Sequence, residues 1–188
     1  MMRKLAYITP LILLIVSACT SGSGNEQSAS ETDSTLLNIS ATERTALPEG
    51  FSVEGDSLIL PPFEIELKLS DKANAKLDSA KESIIVAAYV EGLPKDTTSE
   101  DYLEYGLISL ANVQIELFDA RIARFDHIKI SREGYESLAD KNFEVLINVF
   151  TGRRVFEDNL LDCEIVQEPV GTMKGKKYVL NGKLIYGE

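Results

Sequence analysis

The feature that most limits what this chain can fold into is a period of two. Phe63-Glu64-Ile65-Glu66-Leu67-Lys68-Leu69 puts every apolar residue on one side of an extended backbone and every charge on the other. Successive side chains of a strand point to opposite faces, so this pattern describes a strand buried on one side. The same alternation returns at Val113, Ile115 and Leu117, at Ile128 and Ile130, and at Leu161, Cys163 and Ile165. Two runs, Ser83–Val90 and Phe143–Phe150, are apolar on both faces, as befits strands at the centre of a sheet. Gly106–Leu110 is a shorter candidate. Tyr178-Val179-Leu180-Asn181-Gly182-Lys183-Leu184-Ile185-Tyr186 reads as a hairpin, because an Asn-Gly pair between apolar runs suits a type I′ turn. One long strand with a bulge at Gly182 is the alternative.

Helical signals are few. Asp71–Lys81 aligns Ala73, Leu77 and Ala80 on one side, and Ser131–Ala139 has room for another turn or two. About seven to nine strands with one or two short helices predict an all-β fold, an antiparallel β-sandwich. It would be immunoglobulin-like or transthyretin-like in the loose architectural sense, since there is no Trp and no Cys pair. A closed barrel is the other way to arrange such strands.

The N-terminus follows different rules. Arg3 and Lys4 precede an apolar run, Leu5–Val16, which is too short to span a bilayer and has the layout of an export signal. Its end, Leu14-Ile15-Val16-Ser17-Ala18-Cys19, resembles the lipobox of bacterial lipoproteins. The resemblance covers only about the first 20 residues. It implies that residues 1–18 are a signal peptide and that Cys19 becomes the acylated first residue of the mature chain. Each buried methylene of an acyl chain contributes about 0.8 kcal/mol, so several chains on one residue hold a protein at a membrane. Thr20, where an Asp would signal retention, favours the outer membrane by the same resemblance. Residues 19–47, rich in Ser, Thr, Gly and acids, form a lipidated, flexible tether spanning about 30 Å. Residues 48–188 make up the folded domain.

Charge and cysteine content exclude several roles. The formal charge is −11, and removing Arg3 and Lys4 with the signal takes it to −13. Such a chain is poorly suited to nucleic acid or anionic lipid. With Cys19 acylated, only Cys163 remains, so an internal disulfide is impossible; Cys163 reads as a core thiol.

The search for chemistry finds no nucleotide fingerprint and no nucleophile elbow. His127 is the one histidine, beside Asp126, and could serve only an unfamiliar hydrolase site. One His and one Cys leave a zinc site short of ligands, so neither metal nor cofactor is expected. Asp96-Thr97-Thr98-Ser99-Glu100-Asp101, followed by Glu104, lacks the spacing of a calcium loop; Ser99 there suits a helix cap. Basic residues stand out instead. Arg153 and Arg154 sit beside a turn, Lys176 and Lys177 follow a lysine-rich loop, and Arg121 and Arg124 form a weaker cluster. Arginine forks grip carboxylates and phosphates, so Arg153, Arg154, Lys176 and Lys177 are the candidate partner-binding residues. The expectation is a membrane-anchored, non-enzymatic envelope lipoprotein whose domain binds another envelope protein. A module for a small molecule, a glycan or calcium is the alternative, and a hydrolase using His127 is the second. The partner and the oligomeric state are not legible.

Overall fold

A computed structural model describes residues 47–141 and 143–187. The signal peptide, Cys19 and all but the last residue of the tether lie outside the described residues. The fold is an all-β sandwich with three sheets and three short helices.

The first four-stranded sheet is ordered β10-β8-β4-β5, with β4 Ile84–Gly92, β5 Ile108–Leu117, β8 Glu144–Thr151 and β10 Val166–Pro169. The second is β6-β3-β11-β9, with β3 Phe63–Leu69, β6 Ile122–Phe125, β9 Leu161–Cys163 and β11 Lys177–Leu184. A small third sheet, β1-β2-β7, joins Ser52–Glu54, Ser57–Ile59 and Lys129–Ser131. The inward residues of all three merge into one apolar cluster. Val86, Ala88 and Val90 of β4 and Val145 and Ile147 of β8 meet Phe63, Ile65 and Leu67 of β3, and Leu58, Ile128 and Ile130 come from the third sheet. As their two-sided apolar sequences require, β4 and β8 are the interior strands of their sheet.

Helix α1 (Asp71–Ala80) is capped by Ser70, whose hydroxyl accepts from the Ala73 amide at 3.2 Å, and buries Ala73 and Leu77. Its C-terminus is closed by Lys81 in the left-handed conformation. Helix α2 (Glu100–Tyr105) is capped by Ser99, and α3 (Arg132–Ser137) by Ser131.

Four expectations change. There are eleven strands, because β1, β2, β6 and β10, of three or four residues each, are too short to show a pattern. The candidates at Gly106–Leu110 and Val113–Leu117 fuse into β5. The sheets are not wholly antiparallel: β11 runs parallel to β3. It enters the sheet at the end where β3 begins, with the Gly175 amide donating to the Pro62 carbonyl and the Glu64 amide to the Lys176 carbonyl. The Asn181-Gly182 hairpin is replaced by a straight strand, in which Asn181 lies opposite Lys68 and Gly182 opposite Leu69. Glycine is needed at 182 for space, not for a turn. A Cβ there would collide with the Cys163 sulfur and come within 2.7 Å of Leu69 Cδ2.

Candidate functional site

The four basic residues singled out in the sequence do not form one site. Arg153 and Arg154 follow the C-terminal end of β8, beside the start of β4, where Thr151 lies opposite Ile84. Lys176 and Lys177 sit past its other end, reached through Val170, whose amide donates to the Phe143 carbonyl. The eight residues of β8 hold the two pairs roughly 25 Å apart.

Arg154 is also occupied. Its Nε and Nη2 grip both oxygens of Glu116 on β5, the second at 2.6 Å, while the guanidinium lies 5.3 Å from the Phe118 ring centre. Ser83 Oγ donates to the same carboxylate at 2.6 Å. The Arg154 fork, then the Ser83 hydroxyl, hold the Glu116 carboxyl down to about 2. A carboxylate that acidic takes no proton from a serine at neutral pH, so the trio is a latch.

The loop carrying Arg154 is pinned by Glu82, an almost wholly buried acid. Its carboxylate accepts from four backbone amides, those of Ser83, Arg154, Val155 and Phe156, at 2.7–3.1 Å. Burial pushes this carboxyl up, but the four donors outweigh it and leave it below the ordinary carboxylate value. Asn159 Oδ1 fixes the far side of the loop by accepting from the amides of Thr151 and Leu161. Arg153, in the left-handed conformation, is exposed, as is Arg154.

The lysines are spoken for as well. Lys176 pairs with Glu168 at 3.5 Å and Lys177 with Glu66 at 2.5 Å. Arg121 ties the turn after β5 to α1 through Asn74 at 3.1 Å and Asp78 at 3.0 Å, and Arg124 pairs with Glu64 at 2.8 Å. His127 lies on the surface with its Nε2 3.1 Å from Glu54, not Asp126, and Glu54 also holds Lys129. Among the described residues no hydroxyl or thiol bonds to that imidazole. Asp96 turns its carboxylate onto Thr98, accepting from its amide at 2.9 Å and its hydroxyl at 2.6 Å. Among the described residues, no group of three or more His, Cys, Asp or Glu is placed to hold a metal. Cys163 packs against the core, where burial, with Asp162 and Glu164 beside it, pushes its thiol up to about 11.

What the sequence did not show is how differently the two large sheets treat their outer faces. On β6-β3-β11-β9 most outward residues are charged and six of them pair, Arg124 with Glu64, Lys177 with Glu66, and Lys183 with Asp162 at 3.8 Å, with Ile122 and Val179 exposed among them. On β10-β8-β4-β5 they are largely uncharged. Ile85 lies opposite Phe150, Ala87 between Asn148 and Gln114, and Tyr89 between Leu146 and Asn112. Ile85, Tyr89, Leu146 and Phe150 are partly exposed and stand apart from the core cluster. The acids of this face lie at its margins, with Glu116 bound by Arg154 at one end and Glu91 opposite Glu144 at the other. Polar residues on strands bounded by apolar neighbours reveal a face only once the ladder is known, which is why single-strand patterns missed it.

Two clefts flank these sheets. One, of about 240 Å³, lies among Leu77, Asp78, Lys81, Glu82, Phe118 and Asp119. The other, of about 260 Å³, is bordered by Phe63, Glu64, Arg124, Asp126 and Lys176. Comparison of the chain with family models, with curated proteins and with solved structures found no match in any of the three.

Proposed function

We propose that this is a non-enzymatic lipoprotein of the bacterial envelope, held to the outer membrane by acyl chains on Cys19, whose β-sandwich binds another envelope protein. The observation that carries the reading is the uncharged outer face of β10-β8-β4-β5, on a chain of formal charge −11. Charged residues are depleted from the cores of protein interfaces, and aromatic residues are enriched there. Tyr89 and Phe150, ringed by Ile85, Leu146, Asn112 and Gln114, have that composition. Both clefts are smaller than the roughly 300–1,000 Å³ common to small-molecule sites, which favours a protein partner over a ligand-binding module. The partner-binding role moves from Arg153, Arg154, Lys176 and Lys177 to this face, because three of those four cations are already paired.

The test is crosslinking in cells followed by affinity purification of the tagged chain from membranes, with Cys19→Ser as the untethered control. One dominant envelope protein that is retained by the parent and lost from the control is the expected result. A chain that stays soluble and unacylated with Cys19 intact would overturn the anchor. Absence of any specific protein from both forms would overturn the binding role.

A further inference from the structure

The uncharged sheet ends in an open strand. β5 is ten residues long, whereas the other strands at the margins of the two large sheets, β10, β6 and β9, have four, four and three. One side of β5 is bonded to β4. On the other side, no backbone amide or carbonyl of residues 108–117 meets a backbone partner among the described residues.

Two further observations mark this side as a place for an added strand. The core is less covered along it: Ala111, Val113 and Ile115 face inward and pack on the core but are only partly buried, while their ladder partners Val90, Ala88 and Val86 are fully buried. The devices that normally blunt a sheet edge, inserted Lys or Pro, are also missing from Ile108–Leu117. The one bulge, between Val90 and Glu91, disturbs only the first part of β5 and leaves Ala111–Leu117 in regular register. The single charge on the strand, Glu116, is held by Arg154.

Charge selects the occupant. From Asp96 to Ala120 the sequence has six acidic residues and no Lys or Arg. Of these only Glu116 has an ion-pair partner among the described residues. A second copy of this chain would bring the same acidic stretch alongside and be repelled. A basic segment would be attracted, and alternation along it would match the pleat.

Resting on the protein-binding reading above, we infer that the open side of β5 takes an extended basic segment of another protein as an added strand. Its apolar residues, at every second position, cover Val113 and Ile115. The Lys or Arg residues between them lie beside Asn112 and Gln114, within reach of the acids of α2 and the turn after β5.

The experiment uses the full chain in detergent and three synthetic ten-residue peptides: alternating Val and Lys, the same residues in two blocks, and alternating Val and Glu. Calorimetry reads affinity, and amide hydrogen exchange reads protection along residues 108–117. The alternating Val-Lys peptide is expected to bind at least tenfold more tightly than the other two and to slow exchange in β5 by a similar factor. The variant Asn112→Lys with Gln114→Lys is expected to lose both effects while melting at an unchanged temperature. Equal binding of the blocked peptide would reduce the effect to charge alone, and equal binding of the Val-Glu peptide would remove the basic preference. No binding, or binding with β5 unprotected, would overturn the inference. In cells, a partner retained by the lysine variant would sink the edge site and leave the binding role standing; no partner for the parent would sink the role itself.

Discussion

The two four-stranded sheets share one core yet present opposite surfaces. On β6-β3-β11-β9, charges of both signs face each other across neighbouring strands in three ion pairs, around the exposed Ile122 and Val179. On β10-β8-β4-β5, the central outward residues are apolar or amide-bearing, and the acids Glu116, Glu91 and Glu144 lie at the margins. The ion-paired sheet closes at both margins with strands of three and four residues, and the uncharged one leaves a ten-residue strand open. Exposed apolar surface on a monomer marks an interaction site more often than ion-paired surface does. The proposed binding role rests on that contrast.

The contrast breaks most readily at Glu82. Glu82→Ala would strand four amide donors, one of them buried, and release the loop that positions Arg154 on Glu116, costing about 3 kcal/mol, read by denaturant unfolding. The same region sets the acid limit. Glu82 and Glu116 are both held below their ordinary 4.5, Glu116 at about 2. A lowered folded value contributes stability that is full above about 4.5 and is lost as pH falls toward 2. Glu116→Gln should flatten the unfolding curve in that window and leave it unchanged at pH 7 in its slope.

Gly182→Ala tests the inner side of the ion-paired sheet. The added methyl has to displace Leu69 or the Cys163 sulfur, at a cost of about 2 kcal/mol, visible as a lower melting temperature. Phe150→Ala tests the uncharged face: partner retention should fall about thirtyfold, the loss typical of an interface hot spot of roughly 2 kcal/mol. Its effect on stability should be smaller, since the ring is only partly buried. The smallest effect belongs to Lys183→Ala, which breaks an exposed pair with Asp162 and should change stability by less than about 0.5 kcal/mol. It should leave partner retention untouched. A large loss there, or none at Phe150, would invert the comparison.

Much of the sandwich was legible because its interior strands obey local rules. Phe63–Leu69 alternates, and Ile84–Gly92 and Glu144–Thr151 carry apolar residues on both faces. Ser99 starts a helix as the short-range capping rule anticipates, and in the structure Ser70 and Ser131 cap the other two in the same way. The errors are long-range. Asn181-Gly182 has the chemistry of a tight turn, but a parallel neighbour, Lys68-Leu69, and the close approach of Cys163 hold it extended. The basic turn at Arg153-Arg154 looked available because its acid, Glu116, lies 38 positions away, beyond any local window. Glu82 was one acid among thirty acidic residues, and only the folded chain brings the amides of residues 154–156 onto it.

The most direct measurement of the difference between the faces places a photoreactive phenylalanine analogue at Tyr89 or at Val179, one on each outer face, in the full chain expressed in cells. A discrete adduct from position 89 and none from position 179 is the expected result. An adduct from position 179 alone, or from neither, would contradict the assignment of binding to the uncharged sheet.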